Sequence, residues 1–217
     1  MRKSLVLAVA VGVLAGALVG PAMAAKKPKP VATTLYFHGS EAIGETESFS
    51  IVAPGYLPMD STAPDSSEPK SKQLTNYTVG PNTQCAGNEL FPVWLGDLTG
   101  TVVGDVKVTF HHVSTPTEVD VRIWPDVAGQ LCTNETLGVH DYPEPVGEIR
   151  VTLAPGPGST EAVMEGLKFK ASSKLMVQLT PVIDAPSFGR VLYDAEGFDS
   201  KIQFNCIPPK GQKSCTP

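Results

Sequence analysis

Hydrophobic and polar residues alternate with a period of two along most of the second half of the chain. In five segments every second position is apolar and the positions between are polar or charged. This alternation is typical of a β-strand that buries one face and exposes the other. Only residues 159–166 fit a helical turn, and a loop that enters a strand is the competing interpretation. The five segments cover residues 106–110, 119–124, 149–153, 175–180 and 202–204.

Shorter segments extend this pattern to about nine or ten strands, separated by turns at intervals of roughly 8–15 residues. Twenty Gly and twenty Pro residues punctuate the chain. Many short strands with frequent turns favour an all-β fold, an antiparallel β-sandwich of the jelly-roll type. The shorter candidates are residues 33–37, 91–95, 98–103, 162–170 and 190–193.

Residues 38–84 have a different composition. They are rich in Ser, Pro, Glu, Gly and Thr, and their apolar residues are scattered. This stretch is predicted to be one long exposed loop. Binding surfaces of sandwich proteins usually lie on such loops, but a tolerated insertion explains the stretch equally well.

The first 24 residues carry an export signal. Arg2 and Lys3 precede an uncharged run over residues 5–19, and Ala22-Met23-Ala24 has the small-x-small pattern of a cleavage site. The run is too short for a membrane span. We therefore expect a signal peptide over residues 1–24, cleaved after Ala24, a Lys/Pro tether over residues 25–32 and a single β-sandwich domain over residues 33–217. The mature protein is expected to be secreted, without a membrane span.

The charge balance narrows the choice of partners. Without Arg2 and Lys3 the 17 basic residues fall to 15, against 22 acidic residues, so the mature chain carries a net charge of −7. Nucleic-acid binding requires a clustered basic face, which an acidic chain of this kind lacks. No nucleic-acid partner is expected.

Four cysteines in an exported chain predict disulfides. Four cysteines allow three pairings. The short separation of Cys206 and Cys215 around a Pro/Gly loop favours one bridge there, which leaves Cys85 with Cys132. Zinc is disfavoured because no C-x-x-C motif exists and no histidine has ligand spacing to a cysteine.

No motif for nucleophilic, metal-dependent or phosphate chemistry is present. His111 and His112 are neighbours on a predicted strand, so their side chains point to opposite faces and cannot share an ion. Glu118 and Asp120 share one face at a spacing that a glycosidase could use. Arg122 follows on that face and would hold Asp120 ionised, which is wrong for a general acid. The sequence therefore predicts a protein that is not an enzyme.

Two weak binding sites are suggested instead. Asp194, Glu196 and Asp199 surround Gly197 in a turn that could offer oxygen ligands to calcium, although acidic turns without metal are more common. Calcium is the one cofactor suggested. Trp124 falls on the polar side of its strand, and with Tyr193 it is a candidate for stacking on a ligand; packing over the sandwich edge is the alternative.

Several segments resemble β-sandwich accessory modules of secreted actinobacterial proteins, of the pre-peptidase C-terminal and galactose-binding-like jelly-roll types. The resemblance is one of pattern over residues 90–206, and it implies an extracellular, non-catalytic module that binds sugar, calcium or another protein. The segments are residues 91–94 (FPVW), 100–105 (GTVVGD), 119–124 (VDVRIW), 189–194 (GRVLYD) and 198–200 (FDS).

The functional expectation is a secreted, non-catalytic binding or cell-surface interaction module whose ligand is a glycan or a protein. One alternative is a secreted carbohydrate- or ester-hydrolase that acts through Glu118 and Asp120. Another is a passive structural protein of the cell envelope.

Overall fold

The computed structural model describes residues 28–39, 57–76, 85–86, 93–126, 131–132, 144–182 and 185–217. All regular secondary structure in these ranges is β-strand. The predicted all-β fold is confirmed, and residues 159–166 lie within a strand. The predicted signal peptide lies outside the described residues, as does most of the tether. The strands are β1 (Val31–Phe37), β2 (Leu57–Asp60), β3 (Lys70–Asn76), β4 (Cys85–Ala86), β5 (Val93–Asp97), β6 (Gly100–Ser114), β7 (Thr117–Pro125), β8 (Leu131–Cys132), β9 (Gly147–Leu153), β10 (Gly156–Ala171), β11 (Lys174–Pro181), β12 (Ala185–Tyr193) and β13 (Lys201–Ile207).

Eleven strands form one hydrogen-bonded sheet, and strand β2 separates it into two parts, which we call layers A and B. Layer A has the order β3-β12-β6-β13-β1, with β10 on the other side of the long strand β6. Layer B has the order β5-β11-β7-β9. Strand β2 joins the layers because it pairs antiparallel with β1 and parallel with β5. Strands β4 and β8 form a separate two-stranded ladder.

The hydrophobic core is built from the alternate positions that the sequence predicts. Apolar residues of β6, β7 and β11 on the inward parity are fully buried and belong to one cluster. Burial of such rows supplies most of the driving force for folding, at about 25 cal/mol per Å² of apolar area. The buried rows are Val106, Val108 and Phe110; Val119, Val121 and Ile123; and Leu175, Val177 and Leu179.

Part of the predicted long loop is regular structure. Strands β2 and β3 lie within residues 38–84, where the sequence predicts a loop, while residues 40–56 and 77–84 lie outside the described residues. Strand β3 has the sequence KSKQLTN, in which Leu74 is the only large apolar side chain, and it is fully buried. A single apolar residue gives no alternating pattern, so hydrophobic periodicity cannot identify β3. The strand is recognised by its pairing with β12.

Among the described residues, no helix has the length and hydrophobicity needed to cross a lipid bilayer.

Candidate functional site

A cluster of charged side chains lies at the end of layer A where β1 and β12 finish. His38 directly follows β1, and Asp194 directly follows β12. Nδ1 of His38 lies 2.7 Å from Oδ1 of Asp194, and Nζ of Lys70 lies 2.5 Å from Oδ2 of the same carboxylate. Lys70 also donates to the carbonyl oxygen of Gly39 at 2.6 Å. We call His38, Asp60, Lys70 and Asp194 the His38 cluster.

Asp60, the last residue of β2, stands beside the other ring nitrogen of His38. Oδ1 of Asp60 lies 3.2 Å from Nε2 of His38, yet this nitrogen makes no hydrogen bond. The two atoms are close, but their directions do not meet the requirements of a hydrogen bond. The side chain of Asp60 is 60% exposed and that of His38 is 15% exposed. Rotation of Asp60 into solvent would uncover Nε2.

Both carboxyl groups of the cluster are held in the charged form. Burial by itself would raise the pKa of Asp194, but hydrogen bonds from Lys70 and His38 outweigh it, and the pKa lies below the usual range. Burial likewise opposes the shift at Asp60, where hydrogen bonds from Thr62 and the charge of His38 lower the pKa. Because Asp194 is an ionised acceptor, Nδ1 of His38 must carry the proton of their hydrogen bond.

The backbone of Asp194 adopts an unfavourable conformation that the contacts of the cluster hold in place. Its φ angle is +63°, in the left-handed region that residues other than glycine seldom adopt. Such a conformation costs on the order of 1 kcal/mol and persists where surrounding contacts hold it. The contacts here are the two hydrogen bonds that the carboxylate accepts from His38 and Lys70.

An aromatic floor supports the cluster from the core side. The rings of Phe37 and Trp94 are stacked with centroids 4.4 Å apart, and Tyr193 meets Trp94 edge-on at 5.6 Å. Phe37 and Tyr193 immediately precede His38 and Asp194, so the floor fixes the two strand ends. At Gly39 a Cβ atom would lie 2.6 Å from the Tyr193 ring, and only glycine fits there.

The geometry of the cluster suits proton transfer. A carboxylate that binds one imidazole nitrogen fixes the tautomer and leaves the other nitrogen to accept a proton. Nε2 of His38 is that second nitrogen. Asp60 and Asp194 lie on either side of the imidazolium that would form, and both would stabilise its charge.

Sequence patterns point to only part of this cluster. His38 and Asp194 each follow a buried aromatic residue at the end of a strand, which is a usable signal for a polar site at a sheet edge. Lys70 and Asp60 lie in the stretch predicted to be a loop, and no local pattern marks them.

A second histidine is part of a buried polar group. Nδ1 of His112 lies 2.9 Å from Oγ of Ser114, and Nε2 lies 3.0 Å from Oγ1 of Thr160. Ser114 donates its hydroxyl proton to the carbonyl of Ala154 at 3.1 Å. Burial, and then the nearby His111, lowers the pKa of His112, which is 1% exposed. This group satisfies polar atoms within the core and is closed to a substrate.

The two aromatic residues suggested as ligand contacts are buried, which favours the alternative of packing within the fold. Trp124 is 6% exposed and Tyr193 is 2% exposed. Trp124 does lie on the outer parity of layer B, but there it pairs across the ladder with the fully buried Met176. Tyr193 points inward and packs on Trp94.

Two carboxylates of the acidic turn after β12 contact cationic side chains of the chain itself, and the calcium site stays a prediction. Asp194 is engaged by Lys70 and His38, and Asp199 by Lys201 and by His111, whose Nε2 lies 3.6 Å from Oδ1. Glu196 is exposed. Within the described ranges, no three His, Cys, Asp or Glu side chains are placed to hold a metal ion.

The carboxylate pair on β7 does not form a catalytic pair. Asp120 is bound through both oxygens by Arg150, at 2.7 and 3.1 Å, and by Nη2 of Arg122 at 2.9 Å. Its side chain is 8% exposed, while Glu118 is exposed on the same strand. Both oxygens of Asp120 are therefore occupied by guanidinium groups, and Glu118 stands apart from them.

The cysteines follow the expected arrangement where the structure describes it. Cys206 and Cys215 form a disulfide. Cys85 and Cys132 stand opposite each other in the ladder of β4 and β8. A bridge between them stays a prediction.

Comparisons with known proteins identify no family. No protein-family model matches the chain, and no curated protein sequence matches it. Among solved structures, a CocE/NonD family hydrolase from Staphylococcus aureus is similar with a TM-score of 0.49 and 9% identity, over 83% of this chain and 37% of that one. An aminopeptidase from a marine sediment Thaumarchaeota archaeon is similar with a TM-score of 0.45 and 13% identity, over 81% of this chain and 37% of that one.

These comparisons contradict the expectation that the chain is not an enzyme, because the solved structures found are a hydrolase and an aminopeptidase. The chain spans little more than a third of their length. At these identities and TM-scores the likeness transfers no activity, so it removes the expectation without assigning a reaction. The resemblance to actinobacterial accessory modules stays a prediction.

Proposed function

We propose that this chain is an exported hydrolase that cleaves an extracellular ester, with His38 as the general base. The observation that supports this role is the 2.7 Å hydrogen bond from Nδ1 of His38 to Asp194, which leaves Nε2 without a hydrogen bond, buried beside Asp60. A general base must be fixed in one tautomer and must present a free nitrogen. Asp194 and Lys70 serve as positioning residues.

In the proposed reaction a water molecule attacks the ester carbonyl carbon. The water oxygen forms the new bond to carbon while its proton passes to Nε2 of His38. Collapse of the tetrahedral intermediate breaks the bond to the alcohol oxygen, which takes the proton back from Nε2. An acid and an alcohol leave, and His38 returns to its neutral form.

Asp60 has to move for this reaction. Its carboxylate stands 3.2 Å from Nε2, where the attacking water would bind. The side chain is largely exposed, so water can replace the hydrogen bond that Oδ1 accepts from the backbone N–H of Thr62 at 2.7 Å when Asp60 rotates away. A charged Asp60 nearby would still stabilise the imidazolium in the transition state.

The substrate class follows from the expected export of the chain. An extracellular hydrolase would meet acyl groups on glycans or on other secreted proteins, the two partner classes expected from the sequence. Glycosidases use a pair of carboxylates on either side of the glycosidic bond, whereas the group proposed here to activate water is a histidine. Ester cleavage is therefore proposed over glycoside cleavage.

The test measures hydrolysis of a panel of p-nitrophenyl esters and of acetylated polysaccharide by the purified full chain. We expect His38→Asn to lower kcat by about 100-fold or more, as the loss of a general base does, and Asp194→Asn to lower it less. His111→Asn is the matched control on the small p-nitrophenyl esters, because His111 also faces an aspartate but lies outside the cluster. Thermal unfolding of each variant separates a loss of fold from a loss of chemistry.

Two outcomes contradict the proposal. One is the absence of hydrolysis above the buffer rate for every ester. The other is full activity in His38→Asn. If His38→Asn lowers the thermal stability but not kcat, the His38 cluster only stabilises the fold. That result fits a passive structural protein of the cell envelope.

A further inference from the structure

The outer face of layer A carries a second group of side chains, beyond the proposed hydrolytic site. Tyr36 on β1 stands opposite Lys201 on β13 in the ladder. His111 on β6 and the Phe198-Asp199 pair in the turn before β13 complete the group. We call these five residues the outer patch.

The members of the outer patch touch one another in a continuous row. The ring of His111 meets that of Phe198 edge-on at 5.7 Å, and Nε2 of His111 lies 3.6 Å from Oδ1 of Asp199. Lys201 forms an ion pair with Asp199 and also lies over the Tyr36 ring, 5.8 Å from its centroid. Aromatic and charged groups therefore alternate across about three strands.

These side chains are held in place and yet remain accessible. The side chains of His111, Asp199 and Lys201 are 20%, 36% and 22% exposed, and Tyr36 and Phe198 are half-buried. Gly197, with φ of +82°, shapes the turn. The backbone N–H of Phe198 donates to Ala195 and its carbonyl accepts from Ser200, which fixes its position.

The charges of the outer patch indicate a neutral ligand. One cation, Lys201, balances one anion, Asp199, and hydrogen bonds and the positive charge of Lys201 hold the pKa of Asp199 low although burial opposes the shift. A patch without net charge offers no attraction to nucleic acid or to a strongly acidic polymer.

The mixture of groups indicates a sugar. The faces of aromatic rings are electron-rich and attract the weakly positive C–H groups on the flat side of a pyranose ring. Lys201 covers one face of the Tyr36 ring, so Phe198 is the ring on which a sugar would stack. Beside it, Asp199, Lys201 and Gln203 offer the acceptors and donors that sugar hydroxyls need. Gln203 follows Lys201 on the same face of β13 and faces Thr34 across the ladder.

From this arrangement we infer that the outer patch binds a segment of neutral polysaccharide. The site lies beside the His38 cluster, since Tyr36 and His38 are two residues apart at the end of β1. It does not depend on hydrolysis, however, and it would hold the protein on a glycan surface whether or not the His38 cluster is catalytic.

The experiment measures retention of the full chain on insoluble neutral polysaccharides (cellulose, chitin and xylan) and its mobility in gels that contain soluble glucan or mannan. We expect retention on at least one of these, weakened about tenfold or more by Phe198→Ala and by Asp199→Asn. Lys174→Ala is the matched control, because Lys174 forms an exposed ion pair with Asp97 on layer B, away from the patch. Binding should be unchanged in this control.

The variant His38→Asn separates the two proposals. It should keep polysaccharide binding even though it loses ester hydrolysis. The two assays therefore test the hydrolytic site and the outer patch independently. Two outcomes overturn the inference: no retention on any neutral polysaccharide, or equal retention of wild type, Phe198→Ala and Asp199→Asn. Concentration-dependent dimers that Phe198→Ala abolishes, without polysaccharide retention, would show that a second copy of the chain covers the patch.

If Phe198→Ala does not fold, the Asp199→Asn variant alone decides the result. Its substitution changes a partly exposed carboxylate and removes no apolar contact, so the fold should tolerate it.

Discussion

The carboxylate of Asp126 accepts hydrogen bonds from the backbone N–H and the hydroxyl of Ser172, at 2.8 Å and 2.6 Å. Asp126 directly follows β7, and Ser172 begins the turn between β10 and β11. The same carboxylate accepts the backbone N–H groups of Ser173 and Lys174. One side chain therefore closes a turn that lies 46 residues further along the chain.

Asp126→Ala is expected to lower the free energy of unfolding at pH 7 by about 1 kcal/mol, a value reduced for solvent screening because the residue is exposed. The hydrogen bonds from Ser172, Ser173 and Lys174 lower the pKa of Asp126 to about 2, although burial opposes them. A folded-state pKa below the ordinary value of 3.8 stabilises the fold above about pH 4. That stabilisation should disappear as the pH falls toward 2.

Urea unfolding of wild type and Asp126→Ala between pH 2 and pH 7 tests this prediction. The two curves should converge at the acid end. Asp105→Ala is the control, since Asp105 accepts only one backbone hydrogen bond, from Gly166 at 3.0 Å. A difference between wild type and Asp126→Ala that does not change with pH would contradict the role of the ionised carboxylate.

Phe37→Ala should destabilise the fold by about 3–5 kcal/mol, the usual cost of removing a buried aromatic ring. The ring is fully buried and stacks on Trp94 between the two layers. Guanidinium unfolding followed by tryptophan fluorescence measures the loss. Val31→Ala, at a side chain that is 38% exposed on the same strand, should change stability by about 0.5 kcal/mol or less.

Asp120→Asn is expected to reduce stability by about 1–3 kcal/mol, because it weakens charge-assisted hydrogen bonds with Arg122 and Arg150 at a buried position. Glu118→Gln, on the exposed side of β7, should leave stability unchanged. Neither variant should abolish ester hydrolysis. Loss of ester hydrolysis in a fully folded Asp120→Asn protein would instead indicate that Asp120 on β7 is catalytic.

Replacing Cys206 and Cys215 together by serine should lower stability by about 3 kcal/mol on the chain-entropy model for a loop of this length. The disulfide packs against Gly100, where a Cβ atom would lie 2.7 Å from Sγ of Cys215. A thermal scan of the double variant measures the loss. A non-reducing peptide map should show this bridge and a second one between Cys85 and Cys132, whereas any crossed pairing would contradict both assignments.

Sequence patterns identify the core strands but only part of the candidate sites. Val106, Val108 and Phe110 can be placed inside from their alternation, because burial of one face of a strand leaves a local signature. Trp124 shows where the alternation fails: its parity places it on the outer face, yet both Trp124 and its cross-strand neighbour Met176 are buried. Parity reports which face of a sheet a residue occupies, and whether that face meets water depends on distant segments.

The sequence by itself determined the all-β class and the inward rows of β6, β7 and β11, and it favoured without determining the disulfide between Cys206 and Cys215, because each depends on neighbours within a few residues. The tertiary structure alone decided the His38 cluster and the outer patch. His38 meets Asp194 across 156 positions of the chain, and Lys70 meets it across 124. Such contacts arise when strands from distant segments pair in register, and no local period of hydrophobic and polar residues encodes which strands become neighbours.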